Sequence, residues 1–527
     1  MINAPMMLGS NFLNSLSMFQ NNNNDLSELY NVTPAVPTKF STYNLYSGRA
    51  VMGVNGYPVL NGGMFPRISN IIGESATGKS SILVQLTTGA VDYIIEKFGL
   101  GYAELIYFDN ERNMDAYRFC DLAKWGPADF QMKCHFSQKD LTIVELADFI
   151  IKRAENKVKY AKDYIIPTGM RDLNGREVMF YAPTYICVDS IASVNPEGVE
   201  MLVEKDKAGE IKELTSLGTN MDAAREANAW TIFTRKMKPW LDKGNIGLYF
   251  INHKTKEIKT SMYEQQTRYL PFLKVGEKIK GGKELIFQSY NIFSLASSDK
   301  LNERNPIYGP DVTGFIASAS FVKNKVNVEG IQFPMVFDQS RGYIPELSDF
   351  EYLYQKRFGF DGSVKMRMDI LPEVEFSRKS LLDAIQEYPQ LARAIQFSTR
   401  YYGTNKMFYK NNPLSLKSLG ENVPLERRLS MLYNFTYQYN KGSYDDQYKN
   451  FVELAHANRH YYSFGFDTDF RNTIVTNENI DDLNNDYTLL PNKGITSYSA
   501  DHGECDVIDG HYMVVLPTTG QNNSKKK

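Results

Sequence analysis

Residues 73–80 read Gly73-Glu74-Ser75-Ala76-Thr77-Gly78-Lys79-Ser80, the spacing G-x-x-x-x-G-K-[ST]. A strand-like run, Ile68 to Ile72, leads into it, and a helix-compatible run, Ser81 to Leu86, leaves it. Strand, glycine-rich turn and helix in that order form a cradle for phosphate. Gly73 and Gly78 let the backbone close round an anion. N–H groups at the helix start, aided by its dipole, stabilise the negative charge. The motif thus predicts a nucleotide held by Gly73, Glu74, Ser75, Ala76, Thr77, Gly78, Lys79, Ser80 and Ser81. Lys79 is expected to reach the β- and γ-phosphates and the Ser80 hydroxyl to bind Mg2+.

The chain has 527 residues. At ~150 residues per domain, roughly three units are expected. With 43% hydrophobic and 23% charged residues, the composition supplies a sizeable core. The net charge of -2 offers no global field for nucleic acid, so any such binding needs a local basic patch. The cysteines, Cys120, Cys134, Cys187 and Cys505, lack C-x-x-C spacing, which argues against a zinc ribbon or disulfide framework and for a reducing compartment. The sequence shows neither a signal peptide nor a long apolar run, so a soluble, cytoplasmic protein without a membrane partner is expected.

Residues 1–42 read as an N-terminal arm, with an asparagine run at Asn21 to Asn24 and prolines at Pro34 and Pro37. The arm is a candidate polymerisation element. Residues 43–353 alternate apolar strand-like runs with helical stretches. The clearest runs are Leu105 to Phe108, Tyr185 to Val188, Leu248 to Ile251 and Ile286 to Leu295. That alternation predicts an α/β fold with a mainly parallel twisted sheet flanked by helices. Ile143 to Ala154 has helical spacing, and Asn174-Gly175 marks a hairpin inside an insertion over 157–182. Residues 354–527 form an appended region of unknown role. It contains a helical pattern from Ser377 to Phe397 and ends in a polar tail expected to fray.

Carboxylates follow the phosphate loop at strand ends. Asp109-Asn110-Glu111 closes one strand, and Glu111 could orient and deprotonate an attacking water. Tyr185-Ile186-Cys187-Val188-Asp189 has the Walker B form, which places Asp189 by the magnesium or its waters. Another strand ends Asn252-His253-Lys254, with His253 a candidate nucleotide sensor. The segment from there is basic: Lys254, Lys256, Lys259, Arg268, Lys274, Lys278, Lys280 and Lys283 stand against three acids. Tyr263, Tyr269 and Phe272 are interleaved, and Gly281-Gly282 closes it. Such a segment suits a nucleic-acid backbone with room for base stacking.

In this order the pieces resemble the RecA recombinases, and within them the phage UvsX-like branch. The similarity covers roughly residues 43–353: Leu60 to Gly63, the phosphate loop, Phe108 to Glu111, Ile186 to Val194, Phe250 to Lys256, Gly281 to Tyr290, and Lys323-Asn324-Lys325 before a strand ending in Asp338. The resemblance implies a RecA-like core, with ATP and Mg2+ bound between subunits. It makes Glu111, Lys79 and His253 catalytic, and Lys323 and Lys325 γ-phosphate contacts from the neighbouring subunit. It sets Asp115 and Tyr117 at the adenine. It also implies DNA contacts from the basic residues just named together with Gly281 and Gly282. The implied partners are single-stranded DNA, homologous duplex, a helical homo-oligomeric filament, and single-strand-binding and mediator proteins. The implied setting is DNA repair and recombination in a phage-infected bacterial host.

Two features depart from the family pattern. Residues 195–220, equivalent to its first DNA loop, are acidic, and the gap between Glu111 and Asp189 is long. The same fold builds hexameric helicases and non-recombinogenic accessory ATPases. A helicase would want a trans arginine near the last strands, where Arg341 stands. In the last region, His502, Cys505, Asp506 and His511, and the pair His456 and His460, have spacings that zinc could use.

Overall fold

The structure is a computed structural model that describes residues 30–52, 58–99, 101–195, 219–256, 268, 270–302, 304–368, 371–408, 504–508 and 511–515. The strands, in chain order, are β1 (Arg49–Met52), β2 (Pro58–Asn61), β3 (Ile68–Gly73), β4 (Glu104–Asp109), β5 (Cys134–Ser137), β6 (Ile165–Arg171), β7 (Glu177–Tyr181), β8 (Thr184–Asp189), β9 (Ile246–Lys256), β10 (Glu277–Ile279), β11 (Asn291–Leu301), β12 (Gly314–Asn324), β13 (Gln332–Asp338) and β14 (Gly342–Tyr343). One large sheet runs β14-β13-β12-β11-β3-β9-β8-β4-β5, with β10 on the end of β9. From β11 to β5 every pairing is parallel; β11 to β14 and the β9–β10 pair are antiparallel. The chain is therefore mixed α/β with a mostly parallel central sheet and flanking helices, compatible with a P-loop-like core.

Alternation along the central strands makes two cores, one on each face. Leu105, Tyr107, Tyr185, Cys187, Tyr249 and Ile251 pack with Ile82, Leu86 and Val91 of the helix Lys79–Phe98. Their neighbours Ile106, Phe108, Ile186, Val188, Leu248 and Phe250 pack with Leu146 and Ile150 of the helix Ile143–Lys159 and with Trp230, Phe233 and Met237 of the helix Thr219–Gly244. Both faces being covered explains why β3 and β8 are buried at every residue.

The expected Asn174-Gly175 turn joins β6 to β7, and this hairpin packs Met170 and Val178 against Val32 and Val51. The expected run from Ile286 to Leu295 is not one strand. Residues Gly282–Gln288 form a helix and β11 starts at Asn291. Gly281 in the left-handed region (φ 88°) starts that helix, a signal stronger than the local apolar run. The helical pattern from Ser377 is split into Leu381–Glu387 and Pro389–Phe408. Pro389 excludes helical backbone at Tyr388, which sits at φ -124°, ψ 84°.

The expected boundaries after 42 and 353 fall inside the helices Ser41–Ser47 and Pro345–Lys356. Residues 30–40 lie on the chain's own body: Val36 and Met64 exchange backbone hydrogen bonds of 2.9 and 2.8 Å. Past the second boundary, a small sheet (Phe360–Asp361, Met366–Met368, Leu371–Phe376) and the Pro389–Phe408 helix pack back, with Tyr402 5.8 Å from Tyr352 ring to ring. A last hairpin pairs Glu504–Ile508 with His511–Val515. No described helix is long and apolar enough to cross a membrane.

Candidate nucleotide site

The phosphate loop leaves the carboxyl end of β3, with β9 on one side and β11 on the other. Gly78 adopts φ 70°, and a Cβ there would lie 2.9 Å from the Phe337 ring. Gly73 is equally confined, with the Thr77 hydroxyl 2.7 Å and the Leu295 carbonyl 2.8 Å from where a Cβ would stand. Tyr343 braces the loop from beneath by donating to the Thr77 carbonyl at 2.7 Å. The Lys79 ammonium donates to the Glu74 carbonyl at 2.6 Å, inside the loop. Burial lowers its pKa to about 8, while Asp189 and Glu111 pull the other way. Lys79 is thus a desolvated cation held at the loop's centre.

Asp189 and Asp109 stand side by side at the ends of β8 and β4. Asp189 accepts from the Tyr107 hydroxyl at 2.9 Å and from the Ser80 hydroxyl. Burial is the main cause that raises its pKa to about 6, and the Glu111 and Asp109 carboxylates add to it. A buried carboxylate next to a serine hydroxyl is an all-oxygen donor set, and a hard divalent cation such as Mg2+ fits it and would relieve the buried charge.

Glu111 lies just past β4. Its N–H donates to the Asp189 carbonyl at 3.1 Å. Its Oε1 accepts from the Ser190 hydroxyl and lies 3.4 Å from His253 Nε2; its Oε2 accepts from Asn113 Nδ2 at 3.0 Å. Burial first and Lys79 second lower the His253 pKa, which favours a neutral imidazole. A cleft of about 760 Å³ contains Ser75 to Ser81, Glu111, Asn113 and His253 on one side and Ser297, Lys300, Phe315, Phe337 and Gln339 on the other. Ser190, Asn113 and this far wall were not legible in the motif. Ser190 and Asn113 do lie within two residues of Asp189 and Glu111, and that closeness was the available signal.

The other expected residues are placed more loosely. Asp115 caps the helix Ala116–Ala123, accepting from the Arg118 N–H at 2.6 Å, and Tyr117 is 83% exposed. Lys254 is half-buried and donates to the Ser294 hydroxyl at 3.2 Å. Lys280 pairs with Glu226 at 3.4 Å, and Arg268 is exposed. Asn252 binds both backbone groups of Lys280, at 2.8 and 3.1 Å, and so fastens the closing end of the basic segment beside His253. Gly281 and Gly282 serve packing: Cβ atoms there would meet Ile191 at 2.8 Å and Ala227 at 3.1 Å. Lys274 precedes β10, Lys278 is its middle residue, and Lys283 sits in the first turn of the Gly282–Gln288 helix. Lys259, the Lys256 side chain, the acidic stretch 196–218, His456, His460 and His502 lie outside the described residues.

Lys323 and Lys325 are not brought to the cleft. Lys323 pairs with Ile292, which pairs with Asn70, three residues before Gly73 and so about 10 Å from the loop along β3. The Lys323 ammonium donates to the Ile286 and Phe287 carbonyls at 2.8 and 2.6 Å. Burial lowers its pKa to about 8, and Lys325 adds to this. Arg341 sits in the turn between β13 and β14, where its N–H donates to Asp338 at 3.0 Å. Among the described residues, no cluster of His, Cys, Asp or Glu could hold a metal by itself.

No family model matches the chain, and no curated protein matches it.

Proposed function

We propose that the chain is an ATP-hydrolysing recombinase of the RecA type, which polymerises on single-stranded DNA and pairs it with homologous duplex. One observation carries the reading: Lys79 and Ser80 follow β3, Glu111 follows β4 and His253 lies on β9, all lining a single cleft, and Asp189 at the end of β8 accepts from the Ser80 hydroxyl. This is the equipment phosphoryl transfer needs, namely a phosphate cradle, a magnesium seat and a carboxylate for the water.

In this reading Ser80 and Asp189 hold Mg2+, Lys79 neutralises the phosphates and Glu111 takes the proton of the attacking water. His253 lies between Glu111 and the basic segment, whose near end is β9 itself. Loss of the γ-phosphate would therefore be felt at the DNA. Lys323 and Lys325, far from their own cleft, serve the cleft of the next subunit.

Two measurements test the proposal. Lys79→Ala is expected to abolish ATP turnover and its stimulation by single-stranded DNA; unchanged turnover would remove the site assignment. Negative-stain images with a non-hydrolysable ATP analogue and single-stranded DNA should show helical filaments. Closed six-membered rings would favour a helicase, and hydrolysis indifferent to DNA would favour an accessory ATPase.

A further inference from the structure

The carboxylate of Glu111 has about four acceptor positions, two on each oxygen. Oε1 faces two donors, the Ser190 hydroxyl and His253 Nε2 at 3.4 Å. Oε2 faces one, Asn113 Nδ2 at 3.0 Å. One acceptor position on Oε2 remains, and Asn113 decides which one. Asn113 is itself held from behind. Its backbone N–H donates to Asp109 Oδ1 at 3.2 Å, and the next N–H, of Met114, donates to Asp109 Oδ2 at 2.9 Å. Gln138 Nε2 donates to the same Oδ2 at 2.9 Å and to the Met114 carbonyl at 2.8 Å. Asp109 is fully buried, so the turn that carries both Glu111 and Asn113 rests on a fixed anchor.

From this we infer that Asn113 is a positioning residue for hydrolysis, which presents the one open lone pair of Glu111 Oε2 to the attacking water. The inference rests on the ATPase reading of the cleft. In the step it serves, the water oxygen bonds to the γ-phosphorus while the bond from that phosphorus to the β–γ bridging oxygen breaks. The water proton passes to Glu111 Oε2, and ADP leaves with the bridging oxygen. Asn113 touches none of the reacting atoms. It acts only on the direction from which Glu111 can receive the proton, and a misdirected base costs rate without costing affinity.

The test compares the full chain with Asn113→Ala, Asn113→Asp and Asn113→Gln, with Glu111→Gln as reference. Steady-state hydrolysis is measured beside the Kd of a fluorescent ADP. Asn113→Ala should lower kcat by about tenfold to a hundredfold while KM and Kd stay at the wild-type values. Asn113→Asp, equal in size but without the donor, should lose at least as much. Asn113→Gln, which keeps an N–H donor, should recover part. If Glu111→Gln loses turnover while Asn113→Ala and Asn113→Asp keep the wild-type kcat, the inference is overturned and the ATPase reading stands. A loss in Kd that matches the loss in kcat also overturns it, because the side chain would then be binding nucleotide. Wild-type chain without hydrolysis, or Glu111→Gln with full hydrolysis, removes the reading of the cleft and this inference with it.

Discussion

Two buried aspartates show how environment sets the behaviour of one residue type. Asp189 has the Tyr107 and Ser80 hydroxyls as donors, with the Glu111 and Asp109 carboxylates near it. Asp349, also buried, faces the Ser41 hydroxyl and Arg400 in the packing between the Pro345–Lys356 and Pro389–Phe408 helices, and its Oδ1 has no hydrogen-bond partner. Burial raises the Asp349 pKa to about 8, against the opposing pull of Ser41 and Arg400. A folded pKa above the unfolded one contributes stability that is complete below the unfolded value and is lost as pH rises to the folded value. The window here runs from near 4 to about 8. Asn cannot titrate, so Asp349→Asn should gain on wild type as pH rises through this window, by at most about 1.4 kcal/mol per pH unit. Denaturant melts of both proteins at pH 4, 6 and 8 check it; a constant gap would show that Asp349 ionises freely.

At the scale of elements, the helix Ile143–Lys159 begins with a capping box. Glu145 N–H donates to Thr142 Oγ1 at 3.1 Å, and Thr142 N–H donates to Glu145 Oε2 at 2.9 Å. Thr142→Ala should cost about 1 kcal/mol of stability with turnover unchanged, read from urea melts beside hydrolysis rates. This helix was legible as periodicity from Ile143, and so were β4, β8 and β9, because parallel strands covered on both faces read as unbroken apolar runs. The helix Gly282–Gln288 was not legible. Its apolar residues Leu285, Ile286 and Phe287 are consecutive, which suits strand as well as helix, and the deciding factor is a left-handed glycine packed on Ile191. The single helix read from Ser377 failed at Pro389 for a local reason the sequence did contain. Helix ends also join distant parts of the chain. The buried Lys157 donates to the Ala182 and Gly244 carbonyls at 2.6 and 2.9 Å and so ties the β6–β7 hairpin to the end of the Thr219–Gly244 helix.

Across the whole molecule, the lysine pair sits about 10 Å along the sheet from the phosphate loop, with Lys323 against Ile292 and Gly73 against Leu295, three residues further along β11. In the proposed filament the lysine pair would serve the cleft of a second copy. Mixing Lys79→Ala chains with chains carrying Lys323→Ala and Lys325→Ala should then restore part of the DNA-stimulated turnover that each lacks alone, because some interfaces would pair an intact cradle with an intact lysine pair. Additive, unrestored rates would place the lysines outside catalysis.

The phosphate loop, the strands that lead to Glu111 and carry Asp189 and His253, and the α/β class could all be read from the chain alone. Each rests on a few consecutive residues whose spacing dictates local backbone and exposure. The grip of Asn113 and Ser190 on Glu111, the far wall of the cleft and the anchoring of the basic segment by Asn252 could not. They depend on strands β4, β8, β9, β3 and β11 lying side by side in that order across long stretches of chain. That neighbourhood is set by which apolar faces bury one another, a property of the folded sheet that no short window of residues contains.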